Sequence, residues 1–175
     1  MAYFPFFIDI TDCKALVVGS GPIAQNKIKI LKEFGAKVTV LSKQENSDVT
    51  KEFEIEDLDG FNIVVAATND SQLNHKISLE CKKRNILVNA VDQKEDCTFI
   101  FPSYIKQKGV VAAFSSSGKN PVLCQYLKKE NESIVTRQLG EINDRMEMIR
   151  KELKSVDGQT RKEILKEFLY NQLEK

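Results

Sequence analysis

The chain has 175 residues, 42% of them hydrophobic, and its 26 basic and 25 acidic side chains leave a formal net charge of +1. That much apolar material builds one domain of ordinary size, with or without an appendage, and excludes disorder as the global state. The charge balance excludes the electrostatic footprint of a nucleic-acid binder or of a protein held to a membrane surface.

The N-terminal stretch "MAYFPFFIDITDCK" has a short apolar run but no basic n-region and no cleavage pattern, so it does not read as a signal peptide. "KALVV", residues 14–18, reads as a buried strand. "GSGPIAQNK" then opens a helix in which Ile28, Ile30, Leu31 and Phe34 share a face, with Gly35 as its C-terminal cap. "KVTVL", residues 37–41, is a second strand, which makes residues 14–41 one parallel, right-handed β-α-β unit. Residues 42–60 are polar and offer no strand beyond a short "FEI". "FNIVVAAT", residues 61–68, is a continuous apolar run that suits a central parallel strand. "NDSQLNHKISLECKKRN" follows as a helix with Leu73, Ile77 and Cys81 on one face.

A further strand starts at Ile86-Leu87-Val88 and ends on Asp92, where the alternation of strand and helix stops. "TFIFPSYIKQKGVVAAFSS" instead reads as a hairpin around a Lys-Gly turn. From Pro121 onward the pattern is helical. Leu139, Ile142, Met146, Ile149 and Leu153 mark one packed helix. Thr160 to Glu163 offers a capping box for a last helix, whose core face is Ile164, Leu165, Phe168, Leu169 and Leu173. The expected fold is α/β: a Rossmann-like parallel sheet, a small hairpin-and-helix region and C-terminal helices.

The turn Gly19-Ser20-Gly21-Pro22-Ile23-Ala24 fits G-x-G-x-x-[GA], after a strand and at the start of a helix, the context in which this pattern cradles a dinucleotide. Gly19 permits the tight turn, Gly21 lets backbone approach a pyrophosphate, and Ala24 lets helix and strand pack closely. An acidic ribose reader is expected ~20 residues on. The chain has Ser42-Lys43 there, so Ser42 is the candidate for the ribose and NAD against NADP stays open. Thr68 and Asn89 end strands at the same crevice and are candidates to touch the cofactor. The four cysteines, Cys13, Cys81, Cys97 and Cys124, share no C-x-x-C spacing, so reduced thiols and no preformed metal site are expected. No apolar run approaches the ~20 residues of a membrane helix. A soluble, cytoplasmic protein is expected.

Four stretches together resemble the siroheme-synthase N-terminal family, the precorrin-2 dehydrogenases: "YFPFFIDITDCKALVVGSGPIAQNKIKIL" at 3–31, "AATNDSQLN" at 66–74, "NILVNAVDQKEDCTFIFPS" at 85–103 and "SSSGKNPVLCQYLKK" at 115–129. The resemblance implies oxidation of precorrin-2 to sirohydrochlorin with NAD, and in some members insertion of Fe2+ to make siroheme. It also implies an intertwined homodimer. The expected organisation is a nucleotide domain over residues 1–102, a dimerisation region over 103–130 and a helical region over 131–175.

Asp92, in Asn89-Ala90-Val91-Asp92, matches the family's key carboxylate and is the expected general base. Ser115, Ser116, Gly118 and Lys119 match the serine-glycine loop that lines the tetrapyrrole pocket, with Lys119, Lys128 and Lys129 available for substrate carboxylates. The segment 42–60 is shorter than the family's, so the strand flanking the adenosine side should be reduced or lost. Asn74 is expected to serve on the helix surface as readily as at the site, and His75 to lie at the surface. The alternative is a regulatory or assembly protein that keeps the fold and binds a dinucleotide without chemistry.

Overall fold

The computed structural model describes residues 3–45 and 47–174. They divide into two compact units, one running up to Ile100 and the other starting at Phe101.

The first unit holds a parallel sheet of five strands. β1 (Lys14–Val18) leads through α1 (Pro22–Glu33) to β2 (Lys37–Ser42) and the short β3 (Val49–Thr50). β4 (Ile63–Ala66) then leads through α2 (Ser71–Lys83) to β5 (Leu87–Ala90). The spatial order is β3-β2-β1-β4-β5, and every pairing is parallel. Successive connections leave β1 toward β2 on one side and toward β4 on the other. This reversal opens a crevice at the C-terminal ends of β1 and β4, where open α/β sheets take ligands. The sheet is buried on both faces, as its unbroken apolar runs require. Leu16, Val18, Val64, Ala66, Val88 and Ala90 pack with Ile77 and Cys81 of α2. The alternate residues Ala15, Val17 and Val65 are just as buried. α1 turns Ala24, Ile28 and Leu31 inward.

The second unit pairs β6 (Ser103–Gln107) and β7 (Val110–Phe114) as an antiparallel hairpin around Lys108-Gly109. α3 (Pro121–Asn131) and α4 (Arg137–Glu152) pack on the hairpin, and α5 (Gly158–Leu173) packs on α4. Gly140 lets α4 lie close on β6, because a Cβ there would come within 2.7 Å of the Gln107 carbonyl oxygen. Among the described residues no helix is long and apolar enough to cross a membrane.

Three sequence expectations need correction. "FEI" forms no strand. Ile55–Leu58 is a 3-10 turn closed by a reciprocal cap between Glu54 and Asp57, with Leu58 buried, and the strand of this segment is β3 instead. The hairpin starts at Ser103, after Pro102, rather than in the run from Thr98, because Thr98 N–H donates to the Val88 carbonyl at 2.8 Å and so stays with β5. α5 starts at Gly158, capped by Asp157, whose carboxylate accepts from Gln159 and Thr160 N–H at 3.0 Å each. Thr160 therefore lies inside the helix. Of its expected core face Leu165, Phe168 and Leu169 are half-buried, while Ile164 and Leu173 are exposed.

Candidate functional site

The glycine turn is built by the strands on either side of it. Gly19 N–H donates to the Leu41 carbonyl, and Val18 accepts from Ala67 N–H, each at 2.8 Å. Gly19 has φ +113°, and an added Cβ would run into the Ala67 carbonyl, with its carbon 2.7 Å away. Only glycine fits where the two crossovers nest. Gly21 differs. Its backbone is extended at φ −67°, it caps α1 without a side chain, and a Cβ there would meet nothing within 4 Å. Pro22 occupies the first helical position and the first turn carries no acidic side chain. The start of α1 thus offers N–H groups and partial positive charge beside open space, which fits a dinucleotide pyrophosphate.

Ser20 and the end of β2 are joined: Ser20 Oγ donates to Gln44 Oε1 at 2.6 Å. Ser42, the ribose candidate, is buried, and its hydroxyl accepts from Gln44 N–H at 3.0 Å, so it serves its own turn. Lys43 is exposed and ion-paired with Glu52 at 2.6 Å.

Beyond β4, Thr68 is held by Asn74. Thr68 N–H and Oγ–H donate to Asn74 Oδ1 at 3.2 and 2.7 Å, and Asn74 Nδ2 donates to the Thr68 carbonyl at 3.0 Å. Asn74 is 3% exposed. It is no helix-surface residue; its amide replaces the hydrogen bonds that water would give the loop. Asp70 caps α2 by accepting from Gln72 and Leu73 N–H.

At the end of β5, Asn89 is buried and its Nδ2 donates to the Phe99 carbonyl at 3.0 Å, which fixes the returning chain. Asp92 lies two residues past the strand, exposed, in the left-handed region at φ +58° that Asp and Asn tolerate best after glycine. The turn that follows is pinned to one face of α2. Gln93 Nε2 donates to the Ser71 carbonyl at 2.9 Å, and His75 Nδ1 meets the buried Asp96 carboxylate at 2.8 Å. Ser78 Oγ donates to the Asp96 carbonyl at 2.6 Å, and Lys82 Nζ to the Glu95 carbonyl at 2.9 Å. His75 remains largely at the surface, as expected, yet it works as an anchor.

Cys97 Sγ donates to the Ala90 carbonyl at 3.2 Å, and burial pushes its thiol pKa up. Half-buried Lys27 of α1 senses Cys97; burial lowers its pKa, with the Cys97 charge opposing. Sequence reasoning gave no role to Gln44 or Lys27. Gln44 carried a signal, its distance from the glycine turn, and Lys27 carried only its helical phase.

The serine loop belongs to the second unit. Ser116 Oγ accepts from Asn120 N–H at 2.8 Å, and Ser117 N–H donates to Ser115 Oγ at 3.1 Å. Ser117 and Gly118 are both left-handed, and Asn120 caps α3. The loop is therefore preformed, with Lys119 exposed. Lys128 Nζ sits 5.9 Å from the centre of the Tyr104 ring. Among the described residues no cluster of three or more His, Cys, Asp or Glu is arranged to hold a metal ion.

Residues 6–103 match a family model described as "Putative NAD(P)-binding". The siroheme synthase of Buchnera aphidicola subsp. Acyrthosiphon pisum is 40% identical over 154 residues, 81% of this chain and 33% of that protein. The siroheme synthase of Zymomonas mobilis is 38% identical over 81% of this chain and 33% of its own. That of Blochmanniella pennsylvanica is 35% identical over 98% of this chain and 39% of its own. The chain thus spans about a third of the length of these curated relatives, 33% to 39%. A solved structure titled SirC, precorrin-2 dehydrogenase, has the same fold, with a TM-score of 0.76 over 99% of this chain and 100% of that one at 22% identity.

Proposed function

The chain belongs to the NAD(P)-binding family of siroheme-synthase N-terminal, precorrin-2 dehydrogenase-like domains, and from that premise we propose that it oxidises precorrin-2 to sirohydrochlorin, with Asp92 as general base. The observation that carries this reading is the pairing, at the C-terminal edge of one parallel sheet, of an open glycine turn after β1 with an exposed carboxylate after β5.

Gly19 to Ala24 would hold the dinucleotide through backbone N–H groups, and Thr68 and Asn89 would shape the rim. The bound nicotinamide supplies a hydride acceptor. Dehydrogenation also releases a proton from the tetrapyrrole, and an Asp92 carboxylate oxygen accepts it. Being exposed, Asp92 is accessible to a large substrate. The turn after it is hydrogen-bonded to α2, which restrains the position of the base.

Ser115, Ser116, Gly118 and Lys119 form a proposed tetrapyrrole-binding loop, with Lys119 pairing a substrate carboxylate. Fe2+ would be a second substrate, and Asp92 would take the pyrrole protons released on insertion. The proposed organisation remains residues 1–102 for the nucleotide, 103–130 for dimerisation and 131–175 for the helical end. A homodimer would cover Val122, Leu123 and Tyr126 of α3, which are exposed apolar side chains.

The test is anaerobic turnover of precorrin-2 with NAD+ and, separately, NADP+, followed by the sirohydrochlorin spectrum, for the native chain and Asp92→Asn. Asparagine keeps shape and tolerates φ +58°, so loss of about 100-fold in rate with an unchanged melting curve would identify the base. Adding Fe2+ afterwards tests insertion. No turnover by folded protein with either cofactor would replace the enzyme by a dinucleotide-binding regulatory or assembly protein.

A further inference from the structure

Nicotinamide specificity in this fold is read at the end of the second strand, where a carboxylate accepts both ribose hydroxyls and repels a 2′-phosphate. Here β2 ends on Ser42, and Lys43, Gln44 and Glu45 follow. The Ser42 hydroxyl is consumed by the Gln44 backbone. Lys43 points to Glu52, and Asp48 accepts from Val40 N–H at 2.8 Å along the strand edge. Gln44 alone of these turns back to the glycine turn, where its Oε1 takes the Ser20 hydroxyl at 2.6 Å. Its amide therefore spans the ends of β1 and β2, the edge of the crevice where an adenosine ribose belongs.

An amide differs from a carboxylate in two ways. It carries no charge to repel a phosphate, and with Oε1 occupied by Ser20 it presents two N–H donors, which serve a ribose hydroxyl or a phosphate oxygen equally. The Lys43–Glu52 pair is exposed on both sides and so costs little to open, which leaves a cation available for a 2′-phosphate. Resting on the dinucleotide-binding reading above, we propose that Gln44 is the ribose-reading residue of this chain and that the site takes NADP+ as well as NAD+, with Lys43 supporting the 2′-phosphate.

The experiment is calorimetric titration of the full chain with NAD+ and with NADP+, without tetrapyrrole. The expected result is dissociation constants within about tenfold of each other. Gln44→Glu should weaken NADP+ relative to NAD+ by at least about tenfold, and Lys43→Ala should weaken NADP+ alone. A native preference for NAD+ beyond tenfold, an unchanged ratio in Gln44→Glu, or a ratio that moves in Glu45→Gln instead, would overturn the assignment of Gln44. Binding of neither nucleotide by folded protein would overturn the underlying dinucleotide reading, a different outcome from any of these.

Discussion

Alanine at Gly19 and at Gly21 is the same chemical change two residues apart, with opposite expected results. At Gly19 an L residue would be held at φ +113°, which costs roughly 1–3 kcal/mol. Its Cβ would also sit 2.7 Å from the Ala67 carbonyl carbon, well inside the ordinary 3.4 Å contact. The obstacle is backbone: Ala67 N–H is held by the Val18 carbonyl and Gly19 N–H by the Leu41 carbonyl, so relief means parting the β1 and β4 crossovers, at about another 1–3 kcal/mol. The sum, about 2–6 kcal/mol, is a large share of the roughly 5–15 kcal/mol that holds a domain folded, and should lower Tm by about 5–20 °C.

At Gly21, φ is −67° and nothing lies within 4 Å. Reduced freedom of the unfolded chain gains about 0.4–1 kcal/mol, and alanine as a helix cap loses a similar amount, so stability should stay within about 1 kcal/mol. The new methyl nevertheless stands where the backbone meets the pyrophosphate, and NADH affinity should fall at least about tenfold. Thermal melts by circular dichroism and NADH fluorescence titrations decide both halves. A Gly19→Ala protein that melts like the native chain would refute the steric argument. So would a folded Gly21→Ala protein that binds NADH unchanged refute the cradle.

Asn74→Ala leaves the Thr68 N–H, hydroxyl and carbonyl without their buried partner and should cost roughly 1–3 kcal/mol in urea unfolding; an unshifted midpoint would contradict it. Hydrogen bonds from Thr160, with a further one from Gln159 N–H, hold the Asp157 carboxyl below its ordinary value of 3.8. Because the folded value lies below the unfolded one, the cap's stabilisation is complete above 3.8 and is lost as pH falls through the folded value. Chemical shifts of residues 158–162 should therefore lose helical character in acid, and Asp157→Asn, which keeps an acceptor, should remove the pH dependence. Burial pushes the Cys81 thiol up to about 12, so only roughly one in ten thousand is thiolate at pH 8. Native protein should resist labelling there until denatured; rapid native labelling of Cys81 would refute its burial.

Much of the fold was legible because burial marks the sequence. "KALVV" and "IVVA" show as short unbroken apolar runs, and Leu73, Ile77 and Cys81 as a stripe at spacing four. β3 has two residues, too few to carry any period, and only its pairing with Leu41 and Ser42 defines it. The start of α5 was ambiguous because Asp157 and Thr160 are both good caps, and the choice falls to whichever side chain reaches the free N–H groups. At the site, the glycine turn was legible from local pattern, since it is defined by neighbours in the chain, whereas Asp92 stood out only through the family resemblance. The contacts of Asn74, His75 and Gln44 were not legible. Their partners Thr68, Asp96 and Ser20 lie 6, 21 and 24 residues away, and only folding reveals which polar side chain meets which.

The pinning of the Asp92 turn to α2 has a consequence for how this chain tolerates insertions and deletions. The anchors at Ser71, His75, Ser78 and Lys82 recur at helical intervals, so they form a single stripe. Adding or removing one residue within α2 would rotate everything beyond it by about 100°, swinging part of the stripe away from the turn. The stretch from Asp70 to Asp96 is therefore locked in length and phase. Size variation among relatives of this chain should gather elsewhere, for instance between β2 and β4, where an exposed, two-residue β3 on the sheet edge leaves room for the backbone to grow or shrink.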